Sequence, residues 1–364
     1  MLPKRNMEEI ATGTHGGINY TELERLGINP SDILDFSVSI NPFGPPTGIR
    51  EIINNFSIDR YPDSESIELR LSLSKNLGTS INNIIIGNGS TELIRLITTA
   101  YLGNEDSILI PQPTYGEYII ASNLAGAKVI KRPIWKEPDF QFNITEILSL
   151  IEKHQPKGIF LCNPNNPTGQ YLSEEEIKQI LSAAKNSLII LDEAYIAFTQ
   201  NAWESSGLIK NDNLIILRSM TKDYALAGLR LGYAIAEESI ISILQRVKPP
   251  WNVSSIAQKA GLFVLKNRSH LKESFIKIIE AKNFLITELN HIGLVTVPSQ
   301  TNFFLLKVKE AAKFRQSLLT KGVMVRDCTS FGLPDYIRIA PRTLPECQRL
   351  IEVIKEIGAY HHDS

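Results

Sequence analysis

Short aliphatic runs recur along the chain, each about the length of one strand. They lie at 83–86, 107–110, 127–131, 158–162, 188–191 and 214–217. Helical patterns lie between several of them. In 173–185, for example, Ser173 and Glu176 stand at the spacing of a capping box. A strand that reads apolar on successive positions is buried on both faces. Such strands, separated by helices, predict a mostly parallel sheet with helices on both faces. Few other architectures satisfy that alternation.

The rest of the chain is organised around this unit. Residues 1–45 look irregular and end in the turn-rich run Asn41-Pro42-Phe43-Gly44-Pro45-Pro46. A proline-bearing break at 247–251 predicts a lobe boundary. Beyond it, 254–288 reads as one long helix, 303–308 and 336–339 as strands, and 344–357 as a closing helix. The expected division is an N-terminal arm or small-domain segment over 1–45, a large domain over 46–246 and a small α+β domain over 247–364.

Composition narrows the function classes. The chain has 364 residues, a formal net charge of −1 and 21% charged residues. It offers no basic field for nucleic acid or an anionic membrane. No apolar run is long enough to span a bilayer, and the opening residues lead into no apolar stretch, so neither membrane insertion nor a secretory leader is expected. Cys162, Cys328 and Cys347 are odd in number and far apart. They predict a reducing, cytoplasmic setting. The six histidines show no zinc spacing, His361 and His362 lie on a polar tail, and no metal site is expected.

Three of the runs are followed at once by reactive side chains. The first leads into Asn163-Pro164-Asn165-Asn166-Pro167-Thr168-Gly169. The second leads into Asp192-Glu193-Ala194-Tyr195, and the third into Arg218-Ser219-Met220-Thr221-Lys222. Open parallel sheets bind ligands beyond the carboxyl ends of their strands. One sheet edge therefore gathers an amide, a carboxylate, a phenol, hydroxyls and an amine. That set matches the needs of pyridoxal 5'-phosphate. Its pyridine nitrogen needs a fixed carboxylate, for which Asp192 is the candidate. Its ring oxygen needs donors, and Asn166 and Tyr195 can supply them. Its aldehyde needs a lysine of lowered pKa, and Lys222 sits among Ser219, Thr221 and Arg230. Its phosphate needs N–H groups at a helix start and a cation. Gly87-Asn88-Gly89-Ser90-Thr91 and Arg230 fit. Each piece alone has an ordinary reading as a loop, a cap or a surface lysine; the ordered combination is far more restrictive.

These motifs, with Arg230-Leu231-Gly232-Tyr233, resemble the fold-type I pyridoxal-phosphate enzymes, and the aminotransferase class I/II group in particular, over essentially the full chain. The resemblance implies an α/β fold with a smaller α+β domain. It implies that Lys222 holds the cofactor as a Schiff base, that Asp192 pairs with the pyridinium nitrogen, and that Asn166 and Tyr195 bind the ring oxygen. Tyr115 would stack on the ring. Ser219, Arg230 and the Gly89-Ser90 turn would hold the cofactor phosphate. Tyr61 would reach the phosphate of a partner subunit's cofactor, which implies a homodimer with shared sites. Arg338 would bind a substrate carboxylate.

Two families within the group compete. Thr14-His15-Gly16-Gly17, Asp35 to Pro42, Leu217 to Tyr224, Pro250 to Ser254, and Ile337 to Arg342 look more like threonine-phosphate decarboxylase. The expectation is decarboxylation of L-threonine O-3-phosphate to (R)-1-amino-2-propanol O-2-phosphate in cobalamin biosynthesis. His15, Asn41 and Arg342 are then the candidates for the substrate phosphate. Two arginines, Arg338 and Arg342, suit a substrate with both a carboxylate and a phosphate. The alternative is a histidinol-phosphate aminotransferase. A third reading is a pyridoxal-phosphate-binding regulator without turnover, although no basic helix-turn-helix precedes the motifs.

Overall fold

The computed structural model describes residue 10, residues 13–54 and residues 58–358. The opening residues 1–6, His361 and His362 lie outside the described residues. In chain order the strands are β1 (Leu34–Asp35), β2 (Ile84–Asn88), β3 (Ser107–Gln112), β4 (Lys128–Pro133), β5 (Trp135–Lys136), β6 (Gln141–Phe142), β7 (Gly158–Cys162), β8 (Leu188–Asp192), β9 (Leu214–Ser219), β10 (Leu231–Ala236), β11 (Phe304–Lys307), β12 (Val323–Met324), β13 (Arg326–Asp327) and β14 (Tyr336–Ile339).

The main sheet has the order β2-β10-β9-β8-β7-β3-β4. Its strands pair in parallel except at β10, which is antiparallel to both neighbours. Side chains alternate between faces, and both faces are covered. Ile159, Leu161, Ile189 and Leu191 enter one core, while Phe160, Ile190, Ile215 and Leu217 enter the other. Two-sided burial is why these strands read as unbroken apolar runs. Each such side chain contributes roughly 1.5–3 kcal/mol by leaving water.

The sequence reading passed over β10. Its residues, Leu-Gly-Tyr-Ala-Ile-Ala, carry a glycine and two alanines, which weakens the strand signal. The glycine has a spatial reason. A Cβ at Gly232 would lie 2.8 Å from the Ser90 nitrogen and 2.9 Å from the Gly89 carbonyl carbon. Only glycine lets the start of helix Gly89–Tyr101 close against the strand.

The small domain is built on the antiparallel sheet β11-β14-β13. The N-terminal segment joins it, because Leu34 and Asp35 pair in parallel with Val323 and Met324. Phe36 is fully buried in the core that also holds Leu285, Ile337 and Leu350. The single helix expected over 254–288 is two helices, Ser255–Lys266 and Ser269–His291. Asn267 ends the first one, with its N–H bonded to Val264 and its side chain donating to the Phe263 carbonyl at 2.8 Å. Asparagine competes for backbone groups in this way and favours helix ends. The boundary expected after residue 246 also shifts. Ala257, Ala260 and Val264 pack into the core of the main sheet, and Ala281, Leu285 and Leu289 into that of the small domain. The change of core falls inside helix Ser269–His291. The prolines near residue 250 only turn the chain back onto the same lobe.

Among the described residues no helix is long and apolar enough to cross a membrane, and no His, Cys, Asp and Glu group is placed to hold a metal ion. The three cysteines are free and buried.

Candidate active site

Strand parity brings the reactive groups together. Asp192 follows Ile190 on one face of β8, and the Tyr118 hydroxyl approaches from helix Glu117–Ala125 above that face. The hydroxyl donates to Asp192 Oδ2 at 2.8 Å, and the Ala194 N–H donates to Oδ1 at 3.0 Å. Burial pushes the Asp192 carboxyl up to about 6, against the pull of these two hydrogen bonds. It is therefore mostly ionised at neutral pH. Tyr118 is itself fixed by stacking on Phe160, with ring centroids 4.6 Å apart. The sequence reading missed Tyr118.

Lys222 lies in the turn between β9 and β10, with its amine 5.9 Å from the centre of the Tyr195 ring. Burial brings its pKa down to about 8. Arg338 and Arg230 act in the same direction, and Asp192 opposes them. Asn41 holds this turn from the N-terminal segment. Its backbone N–H donates to the Lys222 carbonyl at 2.9 Å and its side-chain amide to the Asp223 carbonyl at 3.0 Å. Its Oδ1 accepts from the Phe43 N–H at 3.0 Å. The structure thus spends Asn41 on the lysine turn, which corrects its expected role on the substrate phosphate.

Ser90, Thr91, Tyr115, Asn166, Asp192, Tyr195, Thr221, Lys222 and Arg230 line one cleft. Helix Gly89–Tyr101 starts there without a side-chain cap, so its first N–H groups keep their capacity for an anion. Arg230 lies across that start: a Cβ on Gly89 would stand 2.8 Å from Arg230 Nη2. Ser219 lies behind Thr221, their hydroxyls 2.6 Å apart, so Thr221 rather than Ser219 meets the cleft. A buried carboxylate at one end and uncapped N–H groups with a guanidinium at the other fit pyridoxal phosphate. Tyr115 lines the cleft between them and meets Tyr118 edge-on at 5.4 Å.

A larger cavity of about 490 Å³ opens beside this cleft. Tyr115, Asn166, Tyr195 and Lys222 are common to both, and His15, Arg326 and Arg338 also line the larger one. Arg338 donates to Asn166 Oδ1 and, at 2.8 Å, to the Ser37 carbonyl. Its guanidinium lies 5.0 Å from the centre of the Phe303 ring. Its buried Nε has no protein partner. Such an orphaned charged donor suits an incoming anion. Arg326 donates to the Thr14 carbonyl and to Ser330 Oγ, each at 2.7 Å, and to the His15 carbonyl at 3.3 Å. Nothing in the sequence reading singled out Arg326.

Arg342 is elsewhere. It pairs with Glu346 at 2.7 Å and donates to the Asp35 carbonyl at 3.2 Å, at the start of helix Leu344–Glu356. It does not line the cavity, so the expected phosphate contact is corrected. The Thr343–Glu346 capping box claims the glutamate that holds it. His15 does line the cavity, but its Nε2 lies on Glu117 Oε1 at 3.1 Å. Tyr61 lines neither space; it is 78% exposed and stacks on Trp251 at 4.3 Å.

Comparisons with known proteins follow this geometry. The family described as aminotransferase class I and II matches residues 31–354. A histidinol-phosphate aminotransferase of Thermoanaerobacter sp. (strain X514) is 38% identical over 85% of this chain and 87% of its own. One from Methanocaldococcus jannaschii is 32% identical over 98% of this chain and 94% of its own. Among solved structures, the histidinol-phosphate aminotransferase from Clostridium acetobutylicum superposes with a TM-score of 0.82 at 30% identity, over 89% of this chain and 99% of that one. The L-threonine-O-3-phosphate decarboxylase from Porphyromonas gingivalis gives 0.79 at 27%, over 88% and 98%. The curated relatives overturn the expectation of a threonine-phosphate decarboxylase and, with it, the cobalamin assignment. Those named here carry the aminotransferase activity at 32–38% identity. Arg342, on which the second-arginine argument rested, is spent on Glu346, and the second arginine of the cavity is Arg326.

Proposed function

The chain belongs to the aminotransferase class I and II family, and on that premise we propose that it moves the amino group of histidinol phosphate to 2-oxoglutarate. It is a pyridoxal-phosphate-dependent aminotransferase. The observation that carries the substrate reading is the Arg326–Arg338 pair lining the larger cavity, with one guanidinium nitrogen unpartnered. Histidinol phosphate has no carboxylate, so its phosphate is the anion for this pair. Charge-assisted hydrogen bonds from two guanidiniums suit a dianion. The carboxylate of the amino acceptor would use the same place in the second half of the reaction. The curated histidinol-phosphate aminotransferases support this reading.

Pyridoxal phosphate, when bound, supplies an electron sink for the bonds at the substrate's Cα. Lys222 would hold the aldehyde and, once freed by the incoming amine, move a proton at Cα. With its pKa near 8, a useful share of this amine is neutral at physiological pH. Asp192 would keep the pyridine nitrogen protonated, and Tyr118 keeps Asp192 in place. Asn166, bonded to Arg338, would face the ring oxygen, so one side-chain link would tie cofactor orientation to substrate binding. Ser90, Thr91, Thr221 and Arg230 would hold the cofactor phosphate. The same proposal includes a homodimer, in which the exposed Tyr61–Trp251 stack meets a second copy and Tyr61 reaches its cofactor phosphate. A single-chain mass by light scattering would remove that part.

The test is glutamate formation from histidinol phosphate and 2-oxoglutarate, run beside CO₂ release from L-threonine O-3-phosphate. Glutamate without CO₂ is expected. CO₂ without glutamate overturns the reading.

A further inference from the structure

His15 lines the larger cavity and touches both an arginine of it, Arg326, and a buried carboxylate behind the lining, Glu117, which it covers. Its backbone carbonyl accepts from Arg326 Nη1 at 3.3 Å, and its ring Nε2 lies 3.1 Å from Glu117 Oε1. A histidine residue of the chain itself thus spans from guanidinium to carboxylate. Its ring also stands 6.0 Å from that of Tyr115, a wall shared by cavity and cofactor cleft.

The two partners in this contact differ in how firmly they are held. Glu117 is 5% exposed and opens helix Glu117–Ala125. Its second oxygen lies 3.4 Å from Arg95, and His15 and Arg95 together hold its carboxyl below the usual range. The His15 side chain is 49% exposed. It sits on a glycine-bearing segment pressed against the site: a Cβ on Gly13 would meet Glu117 Oε1 at 2.7 Å, and one on Gly16 the Ser37 carbonyl at 2.5 Å. The carboxylate is fixed, and the imidazole is the partner with access to solvent.

We propose that Glu117 is the specificity-determining residue of this site: its Oε1 takes the imidazole N–H of the substrate, and His15 occupies that position until the substrate's ring replaces it. The inference rests on the histidinol-phosphate reading given above. That substrate carries an imidazole at one end and an anion at the other, the two groups for which Glu117 and Arg326 are placed. A buried charge stripped of its partner is costly. Exchange of one imidazole for another keeps Glu117 paired throughout, whereas a substrate without a ring leaves His15 on Glu117 and makes no contact there. The ring therefore contributes through an ionic hydrogen bond that smaller phosphorylated amines lack.

The experiment measures KM and kcat of the holoenzyme for histidinol phosphate and for 2-aminobutyl phosphate, a ringless analogue, with absorbance titration of the bound cofactor as a binding readout. In Glu117→Gln made in the His15→Ala background, KM for histidinol phosphate rises roughly tenfold or more over that of His15→Ala, and that for the analogue stays near its His15→Ala value. In His15→Ala, KM for histidinol phosphate falls at unchanged kcat, because the internal competitor is gone. An equal rise for both substrates in that double variant overturns the inference alone. So does a higher KM in His15→Ala, which would make His15 a substrate ligand. Absence of glutamate from histidinol phosphate in the wild type overturns the functional reading and this inference with it.

Discussion

Arg326 and Arg338 are direct partners across the antiparallel strands β13 and β14. Both are buried, at 6% and 5% exposure. Like charges directly opposite in a sheet repel. Burial, and after it the neighbouring Arg338, lowers the Arg326 pKa, the direction expected of such crowding. An anion between the two relieves it. Inorganic phosphate is expected to raise the melting temperature of the wild type, and to do so much less in Arg326→Met. The same variant should raise KM for a phosphorylated substrate roughly ten- to a hundredfold, the worth of one hydrogen bond to a charged group. Equal phosphate stabilisation in both proteins would show that the pair is not the anion site.

Lys222 illustrates a conflict between function and stability. Unfolded, it binds a proton up to about its ordinary value of 10.5; folded, only up to about 8. The unfolded chain therefore binds more protons between these values, and apoprotein stability rises with pH across that window. Below it the buried ammonium costs about 3 kcal/mol. Lys222→Met should abolish turnover, raise apoprotein stability at pH 7 by an amount of that order, and flatten the slope between pH 8 and 10.5. Urea denaturation at several pH values, beside a turnover assay, measures all three.

Tyr118 offers a subtler change. Its hydroxyl favours the ionised form of Asp192, whose carboxyl already lies at about 6. Activity that needs this carboxylate is present above that pKa and lost as pH falls through it. Tyr118→Phe removes the donor, so the pKa rises and the acid limb of the kcat profile moves toward neutrality. Asp192→Asn should remove the limb and lower kcat by roughly a hundredfold or more. An unchanged acid limb in Tyr118→Phe would assign it to another group.

What the sequence revealed and what it hid follow from chain separation. The groups at the ends of β7, β8 and β9 were legible because a two-residue period and parallel pairing force them to one sheet edge. Lys222 and Arg230 were legible from the local motif between β9 and β10. Arg326 was not, because it lies in a strand of two residues and its partners Thr14 and His15 are more than 300 positions away. Tyr118 and Glu117 were hidden for a related reason. They open a helix, and only the packing of that helix over β8 points them at Asp192 and at His15. Arg342 was misread although its explanation is four residues away, since Thr343 and Glu346 form a capping box that the arginine joins. Local signals also misplaced the lobe boundary, because prolines mark turns and a turn need not change the core that follows it.

Gly89 provides a test of the cofactor cradle that separates backbone strain from binding. Its φ is 74°, in the left-handed region, and a Cβ there would lie 2.8 Å from Arg230 Nη2. Gly89→Ala therefore carries two penalties: roughly 1–2 kcal/mol for the backbone, and displacement of the guanidinium from the helix start. Gly78 has a φ of 64°, and a Cβ there would meet no atom within 4 Å, so Gly78→Ala carries only the first. Both variants should lose similar stability as apoproteins. Only Gly89→Ala should weaken pyridoxal phosphate binding, by roughly tenfold or more, since it disturbs a charge-assisted contact. Absorbance titration of the apoproteins with pyridoxal phosphate reads this difference. Equal affinity in the two variants would mean that Arg230 does not hold the cofactor phosphate, and that the uncapped N–H groups of helix Gly89–Tyr101 hold it without a guanidinium.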